Sequence, residues 1–168
     1  MYQSGKRVFV KDKGLSKALA NTRALGRIRI SVGVQADAGA GEDGTLISEY
    51  AAANEFGTRR IPSRPFMRTA FDSNVGDLNS TIGKLTLLVQ AGKLDADRAA
   101  GLLGEKHQGQ IQQQILSNMP PPNSPATIEA KGSSRTLIDN GNLLQSIRWK
   151  IEKRTRIVGR VASLFGRR

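Results

Sequence analysis

Arg59, Arg60, Arg64 and Arg68 stand within ten residues of one another, the densest group of chemistry-bearing side chains in the chain. A guanidinium is a permanently charged, planar fork of N–H donors that fits carboxylates and phosphates, so such a cluster holds anions rather than breaking bonds. Arg27 and Arg29, and later Arg148 and Lys150, repeat the theme, each alternating with apolar residues. Materials for catalysis are sparser. His107 is the single histidine, set in a Gln-rich stretch with no acid beside it in sequence. A general base needs an orienting partner, so we read His107 as a packing or interface residue. Glu49 and Glu55, and Asp95 and Asp97, have no metal-ligand spacing with a histidine and are read as helix caps and solvated faces. Gly39, Gly41 and Gly44 lack the lysine and the fixed spacing of a phosphate-cradling loop, and the acids among them repel phosphate. The serines sit in no recognisable nucleophile elbow. With no cysteine, disulfides and thiolate metal sites are excluded, which suits a reducing cytoplasm. The sequence thus predicts no catalytic, cofactor-binding or metal-binding residue and a protein that is not an enzyme.

The cations are unevenly placed. Of a net charge of +12, residues 1–35 carry eight Lys/Arg against Asp12 alone, and residues 148–168 carry eight against Glu152. Residues 36–58 hold five acids (Asp37, Glu42, Asp43, Glu49, Glu55) and no base, and the arginine cluster follows at once. This pattern favours a polyanionic neighbour such as DNA, or an acidic face on another protein. Few aromatics lie among the bases, so a base-stacking platform for single strands is missing; contact with DNA would run through phosphates without sequence reading.

The elements that must position these groups can be read from periodicity. At 168 residues the chain fits one domain, 1–168, with 1–13 as a basic arm and 36–44 (ADAGAGEDG) as a flexible acidic loop. No apolar run is long enough for a bilayer, and the basic N-terminus lacks the apolar stretch of a signal peptide. Leu15, Ala18, Leu19, Thr22 and Leu25 have the spacing of one helical face, stopped by Gly26. Ile28, Ile30, Val32 and Val34 alternate with Arg27, Arg29, Ser31 and Gly33, which predicts a half-buried strand with a basic outer face. Thr45 is placed to cap a helix closed by Gly57. Pro62 and Pro65 keep 61–65 extended, and a helix starting near Pro65 carries Phe66, Met67, Ala70 and Phe71 as its apolar stripe. Two more helices are expected over 76–91 and 94–117, broken around Gly92, and Pro120-Pro121-Pro122 ends the second. Ser124 is placed to cap a short helix stopped at Gly132, and residues 137–147 form a turn and another short helix. A final hairpin pairs Ile147-Trp149-Ile151 with a strand around Ile157 to Val161. The fold expected is α+β, a small antiparallel sheet with helices on one face, plus extended loops.

Two segments carry more than composition. Tyr50-Ala51-Ala52-Ala53-Asn54-Glu55-Phe56-Gly57-Thr58 runs into Ile61-Pro62-Ser63-Arg64-Pro65-Phe66-Met67-Arg68. Further on, Asn123-Ser124-Pro125-Ala126-Thr127-Ile128-Glu129-Ala130-Lys131-Gly132-Ser133 runs into Leu137-Ile138-Asp139-Asn140-Gly141-Asn142-Leu143-Leu144-Gln145-Ser146-Ile147. In order and spacing this pair resembles the neck and tail-completion proteins of tailed bacteriophages, a broad group that includes virion-morphogenesis proteins; the resemblance covers roughly residues 28–155. The sequence departs from that pattern in a proline run before Ser124, where an aromatic is common, and in Asn140, where threonine is usual.

The resemblance implies a structural virion protein, assembled in the host cytoplasm into a ring of the head-to-tail connector that surrounds the DNA channel. Its partners would be further copies of itself, six favoured over twelve, the adjoining connector and tail proteins, and packaged DNA held non-specifically, with no membrane. On this reading Arg59, Arg60, Arg64, Arg68, Arg27, Arg29, Arg148 and Lys150 are interface or DNA-channel candidates. Phe56, Gly57, Pro62, Pro65, Phe66, Asp139 and Gly141 are the structural motif, with Phe66 and Phe71 anchoring the helix and the Asp139–Gly141 turn aiming Leu143, Leu144 and Ile147 at the core. A tail-terminator ring, a small basic DNA-binding protein, and more remotely a maturation hydrolase using His107 are the competing expectations.

Overall fold

The computed structural model describes residues 14–41, 43–138 and 140–153. The chain starts with helix α1 (Leu15–Leu25) and passes directly into strand β1 (Ile28–Val34). Helices α2 (Ile47–Phe56), α3 (Phe66–Gln90), α4 (Ala96–Leu116), α5 (Pro125–Lys131) and α6 (Asn142–Ser146) follow, and strand β2 (Ile147–Lys153) closes the order. β2 pairs antiparallel with β1, from Val34 opposite Ile147 to Ile28 opposite Lys153. The fold is therefore α+β, with six helices and one two-stranded antiparallel sheet among the described residues.

Alternation decides the two faces of the sheet, because successive side chains on a strand point to opposite sides. Ile30 pairs with Ile151, Val32 with Trp149 and Val34 with Ile147, and this apolar face lies on α4. Trp149 packs against the helix where Gly101 and Gly104 leave a notch; a Cβ on Gly104 would stand 2.8 Å from Trp149 Cγ. The opposite face exposes Arg29, Arg148, Lys150 and Glu152, so the predicted basic outer face is present. The expected hairpin partner around 157–161 lies outside the described residues, as does the 1–13 arm.

On its other side α4 packs against α3, whose far end is held by α1. Instead of a helix near Pro65 and a second over 76–91, α3 is one continuous helix of 25 residues. Gly76 does not break it, although a glycine inside a helix costs about 1 kcal/mol relative to alanine. Buried Ala70 before Gly76, and buried Leu78 with the bonds from Lys106 Nζ and Gln110 Nε2 to Asp77 after it, secure the helix on either side. Gly92, at φ 70°, then ends α3: its own N–H donates to the Val89 carbonyl and that of Lys93 to Leu88, which satisfies carbonyls the helix leaves open.

The main core gathers Phe66, Ile111, Ile115, Leu143 and Ile147 from α3, α4, α6 and β2. Burying each such side chain contributes roughly 1.5–3 kcal/mol before chain entropy is counted. Leu143 and Ile147 are buried and Leu144 packs beside them, as expected of a chain turned by Gly141 at φ 81°; Asp139 lies outside the described residues.

Three expectations are corrected. Phe66 is fully buried but Phe71 is 49% exposed and does not anchor α3 with it; its ring meets His107 edge-on at 5.9 Å. Thr45 does not cap α2, because Asp43 engages its backbone N–H at 3.0 Å and its hydroxyl at 2.9 Å, leaving Leu46 as the flanking residue with no side-chain cap. α1 turns Ala18, Asn21 and Leu25 inward and leaves Leu15 68% exposed. The bond from Asn21 Nδ2 to the Val89 carbonyl at 2.8 Å fixes that rotation.

The acidic 36–44 segment is tied back on itself. Gly41 N–H donates to the Thr45 carbonyl at 2.8 Å, Ile47 N–H to Gly39 at 3.1 Å, and Ala40 bridges Leu46.

Candidate functional site

The two motif segments, far apart in sequence, meet in one place. α2 ends at Gly57, whose φ of 76° and ψ of 162° suit glycine alone. A Cβ there would also stand 3.0 Å from Ser63 N. The chain then loops back: Thr58 N–H donates to the Ile61 carbonyl at 2.8 Å, Ser63 Oγ to Glu55 O at 2.9 Å, and Arg64 N–H to Asn54 O. Pro62 is exposed on this return and half-buried Pro65 sets the start of α3.

Arg64, only 5% exposed, is the joint between the segments. Its Nε donates to the Pro121 carbonyl at 2.8 Å, and its Nη2 to the Pro122 carbonyl at 3.3 Å and to Asn123 Oδ1 at 3.2 Å. Prolines have no N–H, so the Pro121 and Pro122 carbonyls gain a charged donor that their own local chain does not supply. From the other side Asn123 Nδ2 donates to Arg135 O, and buried Thr136 donates through its hydroxyl to Met119 O at 3.0 Å. Ser124 caps α5 as expected, accepting from Thr127 N at 3.2 Å, and Gly132 ends that helix in the left-handed region. Lys131 Nζ then reaches the carbonyls of Arg135 and Ile138.

Two cavities open along this junction. One, of about 570 Å³, is lined by Arg60, Arg64 and Lys131 among polar and proline side chains. The other, of about 290 Å³, is lined by Asp43, Thr45, Asn140 and Asn142, and both share Tyr50 and Leu137. Hydrogen bonds from the Thr45 backbone N–H first, and from its hydroxyl second, hold the Asp43 carboxyl below the usual carboxylate range.

The arginine candidates are divided by the fold. Arg59 and Arg60 are exposed at the turn after α2, and Arg68 is exposed on α3 with its guanidinium carbon 6.0 Å from the centre of the Phe56 ring. Phe56 itself is 70% exposed. Arg29, Arg148 and Lys150 share the outer sheet face, and Arg27 is exposed just ahead of it. Among the described residues the ion pairs are Lys106 with Asp77 at 2.8 Å and Lys153 with Asp97 at 2.6 Å, so none of these cations is paired with a described carboxylate.

Glu55 was read from the sequence as part of a solvated face, yet it is 3% exposed. Its carboxylate accepts from the backbone N–H groups of Met67 and Arg68 and so caps α3 from twelve residues upstream. The signal for it was a glutamate set one residue before Phe56-Gly57, ahead of a helix start at Pro65 that offers no side-chain acceptor. Asp95 does cap α4, accepting from Asp97 N and Arg98 N. His107 lies against Gln110 Oε1, 3.2 Å from its Nδ1, and against Phe71. Among the described residues no three His, Asp or Glu side chains cluster as a metal site, and no helix is long and apolar enough to cross a membrane.

Comparison with known proteins adds no relative: no family model, no curated protein and no solved structure matches the chain significantly.

Proposed function

We propose that this protein is a structural subunit of the head-to-tail connector of a tailed bacteriophage, forming a ring around the DNA passage and catalysing no reaction. The observation that carries this reading is the Arg64 joint. The two segments that resemble neck and tail-completion proteins meet in one place: Arg64 of the first bonds Asn123 of the second, and also Pro121 and Pro122 just ahead of it. A resemblance confined to short stretches gains weight when those stretches build one junction. The outer sheet face supports the same reading, since Arg29, Arg148 and Lys150 stand with Glu152 as the one acid on that face, a surface suited to phosphate or to an acidic neighbour. A ring requires one patch to meet a different patch on the next copy, and exposed Asp37, Asp43 and Glu49 on one stretch and exposed Arg59, Arg60 and Arg68 on the next offer unlike surfaces. Six copies fit a tail-like symmetry and twelve a portal-like one; we favour six.

The test is to locate the chain in purified virions by mass spectrometry and by imaging of the neck. Presence as a ring at the head–tail junction is the expected result, and a ring at the tail-tube end would assign it as the terminator. Absence from mature particles overturns the proposal, as does turnover of a substrate. The basic sheet face also favours a second reading, a small non-specific DNA-binding protein. That reading requires a free monomer or dimer by light scattering, with DNA affinity that falls steeply with salt.

A further inference from the structure

The two cavities at the motif junction adjoin at their shared lining residues Tyr50 and Leu137, a trough whose two parts carry charges of opposite sign. We infer that this trough is a docking site for an extended acidic peptide segment of a partner protein, whose carboxylates are held by Arg60, Arg64 and Lys131.

The cationic end is built in advance. Arg64 is fixed by carbonyl and amide acceptors, and Lys131 Nζ by two backbone carbonyls; all of these partners are neutral, and among the described residues no carboxylate pairs with either charge. Arg60 adds a third charge from an exposed position, and among the described residues no acid lines this cavity. Cations already held in place lose little freedom on meeting a carboxylate, which is where preorganised sites gain affinity.

A peptide fits better than a nucleic acid for two reasons. The cavity's volume of about 570 Å³ is partly walled by prolines and Ile61, which suits a narrow chain and not the flat rail of phosphates on a duplex. Past Tyr50 and Leu137 the trough continues to Asp43, a carboxylate kept in its charged form by Thr45, together with Asn140 and Asn142. A polyanion running along the trough would be repelled there, whereas a peptide can present amides or a basic residue at that end. Recognition of acidic motifs by arginine clusters is a recurring mode of peptide binding. The site does not depend on where the protein resides, so failure here leaves the virion assignment to be decided by imaging alone.

The experiment measures binding of a fluorescein-labelled, C-amidated tetraglutamate peptide to the full chain by anisotropy, with a 12-base-pair duplex as competitor. Saturable binding is expected, weakened about tenfold by Arg60→Gln, in line with removal of one charge-assisted contact. Arg60 is exposed, so this variant keeps the fold; unchanged far-ultraviolet circular dichroism verifies that. Neutralising Arg29, Arg148 and Lys150 on the sheet is expected to leave peptide affinity within about twofold, since those residues do not line the trough. Absence of peptide binding overturns the inference. So does binding indifferent to Arg60→Gln, or a duplex that displaces the peptide from the wild type and from the sheet variant alike.

Discussion

The Glu55 carboxylate accepts the backbone N–H of Met67 at 2.9 Å, and through its other oxygen that of Arg68 at 3.0 Å. One helix thus ends by supplying the cap of the next, and the intervening turn is closed as a covalent and hydrogen-bonded loop. Glu55→Gln should lower stability by about 1 kcal/mol through loss of charge at the positive end of α3, and Glu55→Ala by about 2 kcal/mol through loss of the acceptor as well. Urea denaturation would measure both, and equal effects from the two variants would deny the charge a role.

Arg64→Lys keeps the positive charge and loses the fork. A single ammonium cannot reproduce the spread of bonds to Pro121, Pro122 and Asn123. A loss of about 2 kcal/mol is expected, again by denaturant midpoint. Stability equal to wild type would mean that the joint is held by other contacts.

Alanine substitutions at two helical glycines should have opposite signs. Gly83 has open space around it, and Gly83→Ala should stabilise by about 1 kcal/mol through helix propensity. At Gly104 the new methyl would meet Trp149 Cγ at 2.8 Å, so Gly104→Ala should destabilise by about 1–3 kcal/mol through overpacking. Trp149 is the only tryptophan, so its emission reports the displacement directly.

Lys153 has a defined pH signature. Its hydrogen bond to Asp97, then the charge of Asp97, and more weakly that of Asp95, raise the Lys153 ammonium above its ordinary 10.5. A raised folded-state value means that the contribution of this pair is complete below the unfolded value and disappears as pH rises through the folded one. From neutrality upward the pair should therefore be indifferent to pH until it fails above 10.5. In Asp97→Asn, the Lys153 titration followed by NMR at Cε should move down toward the ordinary value; an unmoved titration would deny the pairing.

If the outer sheet face meets phosphate, neutralising Arg29, Arg148 and Lys150 together should reduce the slope of log affinity for duplex DNA against log salt by about three. Folding should be unaffected, since all three are exposed. Filter binding across a salt series would show it, and an unchanged slope would place DNA contact elsewhere.

Much of the fold was legible because its signals are local. β1 announced itself through strict alternation, and Ser124, Asp95, Gly92 and Gly132 act as the caps and stops their residue types suggest. What escaped depended on distant partners. Phe71 looks like core until α4 brings only His107 to its edge. Thr45 looks like a cap until Asp43 engages it. Arg64 was one of four similar arginines, and nothing nearby in sequence shows that proline carbonyls some sixty residues away would claim it. Its neighbours Arg59, Arg60 and Arg68 stay on the surface, so charge density alone could not separate the joint from the outward-facing cations.

The pairing of β1 with β2 bears on how the chain is made. Every helix from α2 to α6 is synthesised between the two strands, so among the described elements the sheet is completed only after all the helices have been made. The α3–α4 hairpin is local and can form early, whereas Val32 gains its cross-strand partner Trp149 only once β2 has been made. A chain that stops short of Ile147 leaves β1 without its partner strand, an open edge of the kind that favours aggregation. Pairing of these two strands brings Arg29 beside Arg148 and Lys150, so the basic face exists only in a chain made at least as far as β2.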